Sequence, residues 1–156
     1  MSWQALQAGA PELAKLGEDR FASELAYLAT IKKDGSPRVH PVTPILSVGR
    51  LFLFMEPTSP KGHDLRRDGR YALHASVLNP AGEGGEFLVA GTAHLNEDEA
   101  TRALAVDHAT YDPVARYILF ELNVDEAAST LYGDQGRPRR QHWRRTQQAD
   151  SAQQPP

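Results

Sequence analysis

Apolar residues in the first third of the chain come in short runs separated by tight-turn signals, a pattern typical of antiparallel strands. The runs are LAYLATIKK, RVHPVTPILSV and LFLFM. The turn signals are DGSP between the first two runs and Gly49-Arg50 before the third. Pro41 and Pro44 lie within the second run and cannot donate a strand hydrogen bond, so we expect that strand to be bulged or at an edge there. The pattern therefore predicts a three-stranded antiparallel meander.

The rest of the chain alternates between strand and helix patterns. Strands are predicted at RYALHASVL, EFLVAGTAHL and ARYILFELNVDEAASTLY, and helices at PELAKLGEDRFAS, KGHDLRRD and NEDEATRALAVDH. Asn96 is the expected N-cap of the last helix, Gly69 is expected to end the middle helix, and Gly91 is expected at a bulge. These elements predict a mainly β fold with short helices. Its six antiparallel strands would form a small barrel whose edges a second copy could cover.

Length and composition narrow the class of protein. With 156 residues, 40% of them hydrophobic, the chain is long enough for one domain with its own core. We expect that domain to span residues 1–145 and the tail, residues 146–156, to be disordered, because few of the tail residues are apolar. No run of about 18 apolar residues exists and the N-terminus lacks a secretion signal, so no membrane contact is expected. The absence of cysteine excludes disulfides and thiolate chemistry and fits a cytoplasmic location.

Charge is distributed unevenly along the chain. The net charge of −3 argues against a surface built for nucleic acid. Five arginines nevertheless crowd near the C-terminus: Arg137, Arg139, Arg140, Arg144 and Arg145. The cluster is open to three interpretations: it contacts nucleic-acid phosphates, it is a solvated tail, or it closes over an anionic cofactor. We favour the third, because a guanidinium binds phosphate well and Trp143 could stack on a cofactor ring. A nucleic-acid site would be expected to carry more aromatic residues than this one tryptophan.

The histidines do not predict a metal site. They are His40, His63, His74, His94, His108 and His142. Their spacing contains no HExxH motif and no other close pair of ligands on one face. We therefore expect scattered surface histidines and no bound metal.

The stretch PTSPKGHDLRRDGR, residues 57–70, carries the clearest candidate chemistry. Ser59 is a suitable N-cap and Pro60 suits the first position of the helix. Unpaired N–H groups, the Ser59 hydroxyl and the Lys61 ammonium would together form an anion site at the start of this helix. The alternative is an ordinary helix start with a solvated lysine between two strands.

The order of these segments resembles the FMN-binding split barrel of the pyridoxamine 5′-phosphate oxidase-like superfamily. The resemblance covers residues 24–95 and is carried by LAYLATIKKDGSPRVHPV, GRLFLFMEPTSPKGHDLRRDGRYALHAS and GEFLVAGTAHL. It implies a split barrel, a homodimer with two cofactor sites at its interface, and FMN as the cofactor. Related members use the deazaflavin coenzyme F-420, and a few bind haem.

The resemblance also implies a set of cofactor-binding residues. Ser59 and Lys61 would hold the phosphate, with His40 where an arginine is common in the family. The ring would rest along the second and third strands, and the C-terminal QGRPRRQHWRR would close the site. The complete set is His40, Pro41, Val42, Thr43, Met55, Glu56, Ser59, Lys61, Arg140, His142 and Trp143.

Two departures separate the chain from the true pyridoxamine phosphate oxidases. Ile45 stands where those enzymes carry a basic residue that meets the substrate, and the chain lacks their extended N-terminal segment. The resemblance therefore implies an oxidoreductase that transfers hydride to or from a small conjugated substrate other than the vitamin. A deazaflavin-dependent reductase, a non-catalytic flavin- or haem-binding protein and a dimeric scaffold with an empty site remain as alternatives.

Overall fold

The computed structural model describes residues 2–22, 25–133 and 136–146. Four helices occur in this part of the chain: α1 (Ser2–Gly9), α2 (Pro11–Phe21), α3 (Pro60–Arg67) and α4 (Glu99–His108). The strands are β1 (Ala26–Ile31), β2 (Pro37–Val42), β3 (Ile45–Ser47), β4 (Arg50–Met55), β5 (Arg70–Ala75), β6 (Glu86–Leu95), β7 (Ile118–Tyr132) and β8 (Pro138–Arg144). Apart from Thr146, the predicted disordered tail lies outside the described residues.

All strands pair antiparallel in one sheet with the order β2-β1-β5-β6-β7-β4-β3, and β8 pairs with the second half of β7. The two ends of the sheet, β2 and β3, are separated along the chain only by Thr43 and Pro44. This short connection brings the two ends of the sheet together, so the sheet is curled. The barrel is not closed, because β2 and β3 do not pair with each other. The predicted mainly β fold with a split barrel is confirmed.

Eight strands form in the described part of the chain, where the sequence predicted six. One extra strand arises because the second predicted strand breaks into β2 and β3 around Pro44, which cannot donate a strand hydrogen bond. The other is β8, which was not predicted because its arginine-rich sequence is not typical of a strand. The predicted turn at Gly49-Arg50 lies one residue earlier: Val48 and Gly49 both have positive φ, and Arg50 already pairs with Ser47.

The main core fills the inside of the curled sheet and is covered by α1 and α2. Trp3, Phe21 and Phe87 form its aromatic centre, with ring centroids 5.3–6.0 Å apart. A second, smaller core lies between the outer side of β4 and α4, around Phe52 and Phe54. Both faces of β4 are thus buried, which explains its uninterrupted apolar sequence.

Two local expectations need correction. Helix α1 has no counterpart among the predicted elements, although Trp3 and Leu6 on it are buried. Asp98, not Asn96, caps α4, because its carboxylate accepts the N–H of Thr101. Helix α3 ends at Arg67 with Asp68 as its C-cap, so Gly69 directly follows the helix end as expected; its φ is not positive, and a side chain there would lie 2.5 Å from the carbonyl oxygen of Ala93. The bulge at Gly91 is confirmed by the shift in register between β6 and β7.

Candidate functional site

Helix α3 begins as the sequence predicts. Ser59 is its N-cap, and its hydroxyl oxygen accepts the N–H of Gly62 at 3.2 Å. Pro60 occupies the first turn and contributes no N–H group. Because the Ser59 hydroxyl accepts this bond, its own proton stays available for donation to a ligand.

A buried carboxylate fixes α3 against the first two strands. Asp64, whose side chain is 3% exposed, accepts hydrogen bonds from Thr30 Oγ1 at 2.8 Å, Arg38 Nε at 2.6 Å and Arg67 Nη2 at 2.9 Å. Burial on its own would raise the pKa of Asp64, but the three hydrogen bonds outweigh burial and hold the pKa below its usual range. The start of α3 is therefore held beside β2 by a charged, fully bonded anchor.

Lys61 and His40 lie beside this anchor. Lys61 is half-buried, and no carboxylate pairs with it among the described residues. Burial consequently lowers the pKa of its ammonium group. The pKa of His40 is also lowered, first by burial and then by the positive charges of Lys61 and Arg38. Together with the Ser59 hydroxyl, these two side chains make a site that offers hydrogen-bond donors and the positive charge of Lys61. We call this site the cradle: His40, Ser59 and Lys61.

The predicted ring-binding residues extend from the cradle along β2 and the end of β4. Pro41 is exposed, Thr43 is half-buried and Val42 is buried at the edge of the core. Met55 is buried beneath the start of α3, with its sulfur 3.5 Å from where a side chain on Gly62 would lie. Glu56 is paired with Arg116 at 2.9 Å, so its carboxylate is already neutralised.

The C-terminal candidates lie elsewhere in the same chain. Arg140, His142 and Trp143 are on β8, and β7, β6 and β5 separate β8 from β1 along the sheet. Trp143 packs against the main core, and its indole Nε1 would lie 2.5 Å from a side chain on Gly9. Arg140 and His142 point to the other side of β8. Within one chain, the structure thus does not bring these residues to the cradle.

On the outer side of the sheet, the part away from α4 is uncovered by any helix of the described chain, and small or apolar residues make up most of it. Strand register places its residues in rows across β2, β1, β5, β6, β7 and β8. Tyr27 is 44% and Val39 62% exposed, and small residues such as Ala29, Ala72 and Ala90 lie between them. We call this surface the outward face: Val39, Pro41, Tyr27, Ala29, Ala72, His74, Leu88, Ala90, Glu126, Ala128, His142 and Arg144.

Sequence reasoning missed Asp64 and Arg38 as parts of the site. A signal for Arg38 existed, because it lies two residues before His40 and therefore on the same side of β2. No comparable signal identified Asp64, whose partners Thr30 and Arg38 are 34 and 26 residues away. Within the described ranges, no group of three or more histidine, aspartate or glutamate side chains is placed to hold a metal ion. The same ranges contain no helix with the length and apolar character that a bilayer crossing requires.

Comparison with known families agrees with this arrangement. The family model for pyridoxamine 5′-phosphate oxidase matches residues 17–131, which include every strand from β1 to β6, the cradle and most of β7. The chain belongs to this family. No curated protein matches its sequence. The family assignment supports the fold, and the side chains of the site carry the chemistry.

Solved structures of several family-like proteins share the fold. A haem-binding protein from Mycobacterium smegmatis is 23% identical with a TM-score of 0.62; the match covers 81% of this chain and 57% of that one. This chain therefore spans little more than half the length of that relative. PhzG from Burkholderia lata 383, solved with tetrahydrophenazine-1-carboxylic acid, is 18% identical with a TM-score of 0.64, covering 88% and 85% of the two chains. A putative 5-nitroimidazole resistance protein from Bacteroides thetaiotaomicron is 16% identical with a TM-score of 0.58, covering 74% and 81%.

Proposed function

We propose that this protein is an oxidoreductase that binds a flavin-type cofactor, FMN in the first instance, between two copies of the chain. Lys61 is the observation that carries the proposal. A half-buried ammonium group without a carboxylate partner in the described chain is unfavourable unless an anion joins it. The Ser59 hydroxyl and the His40 imidazole lie on the same site and supply further donors. These groups fit the phosphate of FMN.

The positions of the remaining candidates support a ring site next to the cradle. Pro41, Val42 and Thr43 continue β2 away from His40, and together they offer apolar surface and backbone groups to a flat ring. The charge of Glu56 is balanced by Arg116, so it would not repel electron density on the ring. When bound, a flavin supplies hydride transfer to or from a small conjugated substrate, while the protein's residues hold the phosphate and orient one face of the ring.

The outward face supports the proposal of a homodimer. Exposed Tyr27 and Val39 surrounded by alanines make an apolar surface of the kind that protein partners cover. Arg140 and His142 lie on the same side of the sheet, at its opposite end from Pro41. In a twofold dimer built on this face, the β8 of one copy approaches the β2 of the other. The predicted closing segment would then serve the partner's site.

The test is an absorption and fluorescence titration of the purified full chain with FMN, then with deazaflavin, then with haem. Saturable binding of FMN with one site per chain supports the proposal and leads to assays with oxygen and nicotinamide donors. Preference for deazaflavin would support the cradle as the phosphate site and replace FMN by deazaflavin as the proposed cofactor. A Soret band without flavin binding replaces the oxidoreductase by a haem-binding protein, which the likeness to the Mycobacterium smegmatis structure makes the second candidate. Binding of none of the three refutes the proposal.

A further inference from the structure

The four lysines of the chain differ in their surroundings. They are Lys15, Lys32, Lys33 and Lys61. Lys15 is exposed, and its Nζ lies 3.1 Å from a carboxylate oxygen of Asp19. Lys32 lies close enough to Asp34 for its charge to help lower the pKa of that carboxyl, and Lys33 is exposed at the same turn. Water and a nearby carboxylate both stabilise the charged ammonium form of an amine, which is not a nucleophile.

Lys61 has neither of these stabilising surroundings. Its side chain is half-buried in the first turn of α3, and no ion pair to it forms among the described residues. The one carboxylate of α3, that of Asp64, is already bonded to Thr30, Arg38 and Arg67. Burial therefore lowers the pKa of the Lys61 ammonium group, and more of it is present as free amine at neutral pH than for a solvated lysine.

Two neighbouring side chains add to the reactivity of this amine. The pKa of His40 is lowered first by burial and then by the charges of Lys61 and Arg38, so its ring is neutral at neutral pH and can accept a proton. The hydroxyl of Ser59 accepts the N–H of Gly62 and keeps its own proton for a ligand. Lysines act as nucleophiles where burial or a neighbouring cation favours the free amine, and both conditions are met at Lys61.

We propose that Lys61 is a modification site, at which its amino group takes the acyl group of a small acyl phosphate. The Nζ atom attacks the acyl carbon and forms the C–N bond of an amide. The C–O bond to the phosphate breaks, and its electron pair leaves with inorganic phosphate. The proton of the amine passes to His40 or to water, and nothing is oxidised or reduced in the step.

The choice of an acyl phosphate rests on the proposed function, because the phosphate of the donor would occupy the same cradle as the phosphate of the cofactor. Ser59 would donate its hydroxyl proton to that phosphate and hold the acyl carbon beside Lys61. An uncharged acyl donor has no phosphate for the cradle to hold, so it gains only from the reactivity of the amine.

Acylation of Lys61 would switch off the cofactor site. The amide that forms carries no charge, so the cradle loses the positive charge that is proposed to face the cofactor phosphate. A chain acylated at Lys61 alone should therefore bind FMN roughly tenfold more weakly than the unmodified chain. Acylation at Lys33, which is exposed at the turn between β1 and β2, should leave the affinity unchanged.

The test incubates the flavin-free full chain with acetyl phosphate and measures acetylation of each lysine by mass spectrometry of its peptides. We expect Lys61 to react roughly ten times faster than Lys33, which serves as a reference within the same molecule. Because only the free amine reacts, the rate at Lys61 should also level off at a lower pH than the rate at Lys33. Equal rates with parallel pH profiles overturn the inference.

A second donor tests the role of the phosphate. p-Nitrophenyl acetate carries the same acetyl group without a phosphate, so the preference for Lys61 over Lys33 should be smaller than with acetyl phosphate. Inorganic phosphate should slow the reaction of acetyl phosphate at Lys61 and leave the rate at Lys33 unchanged. The same preference with both donors would refute the assignment of an acyl phosphate as the donor.

Ser59→Asp tests the site in a chain that should still fold, because aspartate is as good an N-cap as serine. Its carboxylate would stabilise the charged form of Lys61 and repel the phosphate of the donor. Acetylation at Lys61 should therefore fall to the rate at Lys33, while the melting temperature stays close to that of the wild type. Unchanged acetylation at Lys61 in the folded variant contradicts the inference.

FMN titrations separate this inference from the proposed function. If FMN binds and Lys61 is not acetylated in preference to Lys33, the modification site is wrong and the proposed function stands. If Lys61 is preferred but FMN neither binds nor protects it, the modification site stands and the proposed flavin function is wrong. Where both are correct, saturating FMN should slow acetylation at Lys61 roughly tenfold and leave Lys33 unchanged, since the cofactor phosphate occupies the cradle.

Discussion

Nε of Arg38 on β2 lies 2.6 Å from Oδ2 of the buried Asp64 on α3, and this pair sets the position of the cradle. Replacing Asp64 with asparagine leaves Arg38 and Arg67 without their counter-charge. Breaking a buried ion pair on one side costs about 3 kcal/mol, so we expect Asp64→Asn to lower the free energy of unfolding by that amount. Urea unfolding measures the change. An exposed control, Asp107→Asn, should stay within about 0.5 kcal/mol of the wild type.

The same pair predicts how stability depends on pH. Asp64 has a lowered pKa in the folded protein, so its stabilising contribution is complete above the unfolded pKa, about 4, and is lost as the pH falls through the folded pKa. The wild type should therefore lose stability below about pH 4 more steeply than Asp64→Asn. Parallel pH profiles for the two proteins would show that Asp64 is not the group responsible.

Lys61→Met separates ligand binding from folding. Burial lowers the pKa of Lys61, so its charge opposes folding below the folded pKa, and an apolar side chain of similar length should keep or raise the melting temperature of the ligand-free protein. If the proposed function is correct, the same variant should weaken FMN binding at least tenfold, because it removes the ammonium group proposed to face the phosphate.

Lys33→Met is the matched control, since Lys33 is exposed at the turn between β1 and β2. Its affinity for FMN should equal that of the wild type. If Lys61→Met instead lowers the melting temperature and keeps the affinity, Lys61 has a structural role and the phosphate assignment is wrong.

Val48 is strained and should be improved by substitution. It has φ of 41° and is 66% exposed at the turn between β3 and β4, a conformation that costs a β-branched residue about 1 kcal/mol. Val48→Asn creates the Asn-Gly pair that two-residue hairpin turns prefer. We expect a gain of about 1 kcal/mol in the free energy of unfolding, measured by thermal or urea unfolding. A loss would indicate that the valine side chain makes a contact that outweighs the strain.

Ala29→Arg tests the outward face as the dimer surface. A bulky charge beside Val39 and Ala72 on this face should prevent close approach of a second copy, so analytical ultracentrifugation should show a monomer for the variant, where the proposed homodimer predicts a dimer for the wild type. Ala103→Arg, on the exposed side of α4, introduces the same side chain away from the face and should stay dimeric. A dimeric Ala29→Arg would place the interface on another surface.

Local sequence signals predicted the parts of the fold that depend on neighbours in sequence. The apolar run of β4 and the Ser59-Pro60 start of α3 were correct, because burial of both faces and an N-cap each leave a direct mark on composition. The break at Pro44 was only partly foreseen. A proline predicts an edge or bulge, but whether the strand ends there depends on which strands flank it.

The missed features depend on contacts between distant residues. Strand β8 forms because its backbone pairs with β7 and Trp143 packs on the core, although its exposed positions are arginine-rich. Helix α1 is held by its buried Trp3, whose ring partners Phe21 and Phe87 come from α2 and β6. The anchor at Asp64 likewise joins three elements. Such contacts follow from the register of the sheet, which single-sequence patterns do not specify.

Strand β7 has a consequence for how the chain folds as it is synthesised. Before β7 exists, the sheet consists of two separate pieces, β2-β1-β5-β6 and the β3–β4 hairpin. Strand β7 joins them, because it pairs with β6 along its length and with β4 through its first residues. During synthesis on the ribosome, the two pieces of the sheet therefore cannot join until residues 118–132 have emerged, and until then the nascent chain exposes unpaired strand edges and apolar surface of the kind that favours aggregation.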